Sequence, residues 1–316
     1  MKKIHAIPAG FYTVFPEKDA ADITELYSQK EALRTHLHEK GAILLRGFQL
    51  DDPEKFKTVA GMFTQDFMED NGEHNPLSGT QGVFTPVTFS QKEKLLWHNE
   101  NSFNQTWPLV IVFGAARVAD KGGETPIADS RTVLSFIDDD IKNTFLEKGV
   151  MYVRTHGFGL GRSWQETYRV TDKATLELKL KKENVLFEWR EDDKLITRQV
   201  RPAIIAHPIT GELSWFTQAQ HWHPYCLKPA VRASLLNLFS EDTLPRNCHF
   251  GDGSVISDEV MQHILNAYKQ AEISFSWEQG DVMVLDNVLC AHARNPYEGE
   301  RKLLVTMGEP RMFGVS

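Results

Sequence analysis

Two polar segments lying far apart in the chain set the strongest constraint on how it folds. The first is Trp97-His98-Asn99-Glu100-Asn101-Ser102-Phe103; the second runs from Asp286-Asn287 through His292 and Arg294 to Arg301. Two imidazoles and one carboxylate drawn from separate segments are the parts of a 2-His-1-carboxylate metal site, a donor set that suits iron and leaves one face of the ion open. For them to act together, the fold must lay the early part of the chain against its C-terminal end. With 12 His and 43 Asp+Glu in 316 residues, a His-x-acid pair arises by chance about 1.6 times. It occurs once, so its context carries the weight. The pair ends a polar stretch, the apolar run Leu109-Val110-Ile111-Val112-Phe113 follows it, and His292 follows a second strand-like run. Read this way, the chain is an oxygenase; taken alone, His98 reads more readily as a hydrogen-bonded structural histidine.

Composition narrows the alternatives. Hydrophobic residues make up 41% of the chain and charged ones 25%, a balance typical of water-exposed globular folds, and no apolar run approaches the roughly 18 residues of a membrane span. The N-terminus, Met-Lys-Lys followed by His-Ala-Ile-Pro-Ala-Gly, has no signal-like apolar core, so a cytoplasmic location is expected. Cys226, Cys248 and Cys290 are widely spaced, with neither a zinc pattern nor a disulfide framework, which agrees with a reducing compartment. A net charge of −8 argues against nucleic acid, whose phosphates require clustered Lys and Arg. A small-molecule substrate, free or carried by another protein, is expected.

Periodicity gives the organisation. Ile23, Leu26, Tyr27, Leu33 and Leu37 recur at helical spacing over Asp19 to Lys40, with Asp19 as a cap and Gly41 at the C-terminal stop. Ala42 to Phe48 reads as a buried strand. Asp52-Pro53 opens a second helix presenting Phe56, Val59, Phe63 and Phe67 on one face. Residues 70–92 are loop-like, and Lys121-Gly122-Gly123 forms a tight turn before a helix from about Asp129. A hairpin is expected around Glu191-Asp192-Asp193, helices over Pro229 to Phe239 and Ser257 to Lys269, and strands over Val282 to Leu285 and Leu303 to Met307. The sum is a mainly β protein with appended helices, one domain over residues 1–316. N-terminal helices (about 19–68) and a mixed insertion (about 130–275) surround a jelly-roll core.

Strand alternation would put His98 and Glu100 on one face, with Asn99 turned away. His292 would sit at or just past the end of the strand Val282 to Leu285. A rival donor set, His221-Trp222-His223, also shares one face if extended, and would suit a zinc hydrolase; it has no nearby carboxylate and ends at Pro224, so a pocket wall or a core pair is the preferred reading. A non-catalytic β-barrel binding module is the third class. His36 and His38, two apart on a helix, cannot face the same ion. Cys290 is read as core, since a thiolate beside an oxygen-activating iron invites oxidation.

Taken together, His98-Asn99-Glu100-Asn101-Ser102-Phe103, the stretch Gly122-Gly123-Glu124-Thr125-Pro126-Ile127-Ala128-Asp129-Ser130-Arg131, Leu285-Asp286-Asn287 and His292-Ala293-Arg294-Asn295-Pro296-Tyr297 resemble the taurine dioxygenase (TauD/TfdA) family of Fe(II)/2-oxoglutarate-dependent oxygenases. Within it, the likeness is to the branch typified by the syringomycin-cluster aspartyl hydroxylase, from about residue 40 to the C-terminus. The resemblance implies a double-stranded β-helix (cupin-like) with His98, Glu100 and His292 as iron ligands and Thr125 touching 2-oxoglutarate. It further implies that Arg301 pairs with the distal carboxylate of 2-oxoglutarate, with Arg294 a nearby alternative; a planar guanidinium fork suits a carboxylate better than an ammonium does. Fe(II), 2-oxoglutarate and O2 are thus the implied cofactor and co-substrates. The implied reaction is hydroxylation of an unactivated C–H bond in an amino acid or amino-acid-derived intermediate, free or tethered to an acidic carrier protein, with 2-oxoglutarate converted to succinate. Desaturation or epoxidation are alternative outcomes. Glu100 stands where halogenating relatives have a small residue, which favours hydroxylation over halogenation. Lys179, Lys181 and Lys182 are the candidate carrier-docking patch, and Arg154, Arg162 and Arg294 the candidate anchors for a substrate carboxylate.

Overall fold

The chain is described here by a computed structural model covering residues 12–16, 23–69, 74–86 and 89–314. Its central feature is a seven-stranded sheet in the order Tyr12–Val14, Ala42–Leu45, Val282–Asp286, Thr106–Arg117, Lys302–Met312, Phe84–Thr85 and Asn75–Pro76. The middle strands alternate, but both faces are apolar. Ile43, Leu45, Val110, Val112, Val282, Val284 and Leu304 point to one core, whereas Ala42, Leu44, Ile111, Phe113, Met283, Leu285, Val305 and Met307 point to another. A strand buried on both sides reads as a continuous apolar run, which is why Ala42–Leu45 and Val282–Asp286 stand out in the sequence.

The first core is closed by the helices Ile23–Ser28, Lys30–Lys40 and Pro53–Phe63. Asp52 caps the last of these by accepting hydrogen bonds from the Glu54 and Lys55 amides, an arrangement that contributes about 1 kcal/mol. This helix stops at Phe63 instead of running on to Phe67: Thr64 is extended, and Phe67 bridges Gly308 at the edge of the large sheet. The helical stretch before it is interrupted at Gln29, and the expected cap Asp19 lies outside the described residues. Gly41 does end that helix in a left-handed conformation (φ 77°), and a Cβ there would lie 2.6 Å from Cys290 Sγ.

Facing the second core is a four-stranded sheet, Glu272–Ile273, Ile127–Asp129, Cys290–Arg294 and Leu95–His98. The chain passes from the large sheet to this one through the turn at residues 287–289, so His292 belongs to a strand of its own, not to the end of Val282–Asp286. Arg46 holds the start of the crossing strand: its Nε and NH2 reach Asp281 at 3.0 and 2.6 Å in a buried, two-pronged ion pair.

Residues 130–271 leave from Ile127–Asp129 and return at Glu272–Ile273, its antiparallel partner. They carry a third sheet, Leu186–Trp189, Leu195–Arg201, Val150–His156 and Arg246–Phe250, packed with the helices Ser130–Phe136, Asp139–Lys148 and Asp258–Ala271 around Trp215, Tyr152 and Tyr268. The hairpin around Glu191-Asp192-Asp193 forms as expected, with Asp192 and Asp193 at φ 57° and 61°. Among the described residues no helix is long and apolar enough to cross a membrane.

Candidate active site

The four-stranded sheet brings the two polar segments together. His98 and His292 are direct partners across the antiparallel pair Leu95–His98 and Cys290–Arg294, and their rings lie 4.2 Å apart. Glu100 lies beyond the strand end, within a turn that Asn101 makes possible by adopting φ 57°, a conformation asparagine tolerates better than most residues. Glu100 therefore reaches the histidines through a turn and not through strand alternation. Its Oε2 is 3.7 Å from His98 Nε2 and 3.8 Å from His292 Nε2, and the three donor atoms all fall within 4.8 Å of one another. Adjacent ligands on an ion with bonds of about 2.1 Å sit about 3 Å apart, so closing on a metal requires movements of an ångström or less.

Hydrogen bonding orients these donors. Leu96 O accepts from His98 Nδ1 at 2.9 Å, which leaves Nε2 with its lone pair toward the centre. His292 Nδ1 is buried without a partner among the described residues, so packing against Phe113 and His98 fixes this ring. The Glu100 backbone is clamped by Asn287, whose Oδ1 accepts from Glu100 N at 2.7 Å while Nδ2 donates to Glu100 O (3.0 Å) and Pro108 O (2.8 Å). Asn99 turns away, donating to Asn287 O and Ser130 Oγ. Burial by itself would raise the Glu100 carboxyl; the His98 hydrogen bond and the charges of His74, His98 and His292 outweigh it and hold it at about 2. Burial pushes His292 well below the usual imidazole range. An ionised Glu100 is the form in which a carboxylate ligates a metal.

A second cluster of two histidines and a carboxylate, His38, His207 and Asp286, lies behind Asn287. Its bonds are already used. His207 Nδ1 accepts from the Ile209 and Thr210 amides, which puts its proton on Nε2, and that proton goes to Asp286 Oδ2 at 2.7 Å; His38 Nδ1 reaches the same oxygen at 2.9 Å. Asp286 Oδ1 accepts from the Val288 and Leu289 amides. The cluster is therefore a hydrogen-bonded brace for the turn that carries Asn287, and no lone pair of His207 remains for an ion.

His221 and His223 do not share a face. The segment folds into short 3-10 turns, so that His221 packs at a tilt against His98, ring centroids 4.4 Å apart, and donates to Leu96 O, while His223 bonds Ile256 O elsewhere. This removes the rival two-histidine zinc site. His221 lies in the pocket wall, as expected for one of that pair; His74 joins it there, and nothing in the local pattern around His74 marks it for that position. Cys290 is buried, and burial raises its thiol well above the ordinary range, as suits a core residue.

Thr125 and Arg301 also meet: Arg301 NH2 donates to Thr125 Oγ1 at 3.2 Å and Nε to Gly123 O at 2.9 Å, and Trp277 Nε1 donates to the same hydroxyl. The glycine turn that presents Gly123 O has no room for a larger residue, since a Cβ on Gly122 (φ 70°) would lie 2.3 Å from Pro296 O. Arg301 has no carboxylate partner among the described residues, and burial lowers its guanidinium to about 10. A desolvated cation whose hydrogen bonds go to neutral oxygens, and which otherwise lies over the Tyr297 ring, is a site for an anion. Arg294 is engaged differently, donating to the carbonyls of Phe89, Ser90 and Glu93 and so tying down the loop at the mouth. His98, Glu100, His292, Thr125, Arg294 and Arg301 line one cavity of about 1040 Å³, enough for two small molecules side by side.

Comparisons with known proteins give the family. Residues 8–307 match the family model described as taurine catabolism dioxygenase TauD, TfdA family. The chain belongs to this family and is an oxygenase. It is 37% identical over 291 residues to the dapdiamide synthesis protein DdaC of Enterobacter agglomerans, covering 92% of this chain and 88% of the relative. It is 27% identical over 293 residues to a clavaminate synthase-like protein of Arabidopsis thaliana, covering 89% and 85%. Among solved structures, PvcB of Pseudomonas aeruginosa, described as an Fe, alpha-ketoglutarate dependent oxygenase from an isonitrile synthetic pathway, superposes with a TM-score of 0.52 at 15% identity, over 94% of this chain and 84% of that one. That likeness is one of fold.

Proposed function

We propose that this oxygenase uses Fe(II), 2-oxoglutarate and O2 to hydroxylate a small amino-acid-derived molecule, with His98, Glu100 and His292 as the metal ligands. The observation that carries this reading is the convergence of these three donors within 4.8 Å beside the buried, carboxylate-free Arg301. The donor set fits a ferrous ion, being two neutral nitrogens and one carboxylate on a single side with the cavity opposite. When bound, the metal supplies activation of dioxygen coupled to loss of carbon dioxide from 2-oxoglutarate.

The protein's own residues bind and orient. Arg301 and Thr125 receive the distal carboxylate of 2-oxoglutarate, so that its keto acid end lies toward the histidines; Asn287 fixes Glu100; His221, Phe113 and Trp222 wall the cavity against bulk water. The two facing sheets are read as the halves of a double-stranded β-helix, with residues 130–271 as an insertion over its mouth. Dapdiamide synthesis for DdaC and an isonitrile synthetic pathway for PvcB support a natural-product intermediate as substrate.

Anaerobic addition of Fe(II) and 2-oxoglutarate should give the weak visible charge-transfer band of a chelated keto acid, and His98→Ala should abolish it. Absence of the band in the intact protein refutes the assignment.

A further inference from the structure

The segment that follows the strand Leu213–Trp215 is well bonded along its backbone. Gln218 N donates to Tyr152 Oη at 3.1 Å and Gln218 O accepts from His221 N at 2.8 Å, while Thr217 Oγ1 lies 2.8 Å from Tyr152 Oη and accepts from Ala219 N at 3.1 Å. Two side-chain bonds then tie the segment to the metal donors. Gln220 Nε2 donates to the carbonyl of Trp97, the residue before His98, and His221 Nε2 donates to Leu96 O, which also accepts from His98 Nδ1.

Two carboxamides on this braced wall are left incomplete. Gln218 and Gln220 both line the cavity and are only 5% and 2% exposed, yet the Oε1 atom of each is buried with no hydrogen-bond partner. Among the described residues that line the cavity, no other side-chain oxygen is buried and unpaired. For Gln220 the orientation is forced, because the nitrogen must face the Trp97 carbonyl and the oxygen is then spare. The Gln218 carboxamide makes no hydrogen bond among the described residues, so both its donor and its acceptor are spare. Buried amide groups rarely stay unpaired in a folded interior, and two of them on one rigid wall beside a metal site call for a ligand that completes their bonding.

The spare groups are two oxygens and one amide nitrogen. A primary carboxamide offers the matching set, two N–H bonds and one carbonyl. An ester or a carboxylate offers no donor. An ammonium offers donors but finds no free counter-charge, since the two carboxylates among the described lining residues are engaged, Glu100 beside His98 and His292 and Glu93 with Lys228 at 2.6 Å.

We propose that Gln218, assisted by Gln220, is the specificity-determining residue for the primary substrate and recognises a neutral carboxamide on it. The inference rests on the functional reading above, because it names the group by which the substrate is held beside that metal centre.

The test uses the full chain loaded with saturating 2-oxoglutarate and with Mn(II) in place of iron, so that a probe bound near the ion shows faster proton relaxation. Three probes of similar size are titrated: butanamide, methyl butanoate and butylammonium. Butanamide should bind about tenfold tighter than either of the others. Gln218→Leu should erase this preference while melting no lower than the parent, because the carboxamide it replaces has no partner to lose. Gln218→Glu should move the preference to butylammonium, which keeps the proposal testable where the leucine variant fails to fold. Affinity for 2-oxoglutarate, read from the anaerobic Fe(II) charge-transfer band, should stay within about twofold in both variants. Equal affinity for the three probes in the unsubstituted protein, or a carboxamide preference that survives Gln218→Leu or Gln218→Glu, overturns the proposal. Absence of the band in the unsubstituted protein instead overturns the iron and 2-oxoglutarate reading.

Discussion

Asn287→Ala isolates the clamp that aims Glu100. The side chain makes three buried hydrogen bonds, at 2.7, 3.0 and 2.8 Å, to Glu100 N, Glu100 O and Pro108 O. Alanine leaves one amide and two carbonyls without these partners in a site closed to water. At about 1 kcal/mol net per bond, the loss is about 3 kcal/mol of folding stability. For a chain of this length that corresponds to a fall of roughly 6 °C in melting temperature, measured by calorimetry in the presence of a chelator so that metal binding does not contribute. Freed from the clamp, Glu100 samples other positions, and affinity for Mn(II) or anaerobic Fe(II) should drop roughly 10- to 100-fold. Asn287→Asp is the control: it keeps an oxygen for Glu100 N but turns another toward two carbonyls, so it should be no better tolerated than alanine. A melting temperature within about 1 °C of the parent, together with unchanged metal affinity, would refute the clamp.

Two further outcomes concern charged groups. Arg301→Lys keeps the charge but loses the planar fork, so the KM for 2-oxoglutarate should rise about tenfold while metal affinity measured without 2-oxoglutarate stays unchanged; an unaltered KM would move the co-substrate anchor elsewhere. His156 lies in the core, bonded through Nδ1 to Arg162 O, with its folded value lowered from 6.5 to about 4. Because the unfolded chain takes up this proton first, stability should be unaffected by His156 above pH 6.5 and decline as pH falls from 6.5 to 4, by about 3 kcal/mol in total. His156→Asn retains a donor near the Nδ1 position and removes the titration, so denaturant unfolding of this variant should lose less stability than the parent over that window. Equal acid sensitivity in the two proteins would show that His156 does not titrate in this way.

Most of the elements were legible because they bury apolar side chains at a regular period. Val282–Asp286 and Ala42–Leu45 announce themselves as uninterrupted apolar runs, and Asp52-Pro53 as a cap followed by a helix start. The misreadings fall where the periodicity continues but the backbone does not. Phe67 keeps helical spacing with Phe63, yet the chain straightens at Thr64 because Phe67 and Gly308 make a sheet-edge bridge that no local pattern encodes. His221 and His223 look like a strand pair for the same reason: spacing by two suggests alternation, and the 3-10 turns that separate them are held by Tyr152, Cys248 and Ile256, which come from distant parts of the chain.

The candidate site shows the same division. His98, Glu100 and His292 were recognisable as residue types able to hold a metal, but the device that makes them converge is a turn at Asn101 locked by Asn287. Asn287 is in turn held by Asp286, whose carboxylate accepts from two histidines and two amides. Each of these bonds except the last two joins residues far apart in sequence, so neither period nor composition reports them. The sequence signature that remains is the adjacency Asp286-Asn287: one residue turns back to brace the turn and the next reaches forward to clamp the ligand. Because alternate carboxylate and amide side chains serve opposite sides of one bend, exchanging the two residues would disrupt both networks, whereas the apolar strand before them would still form.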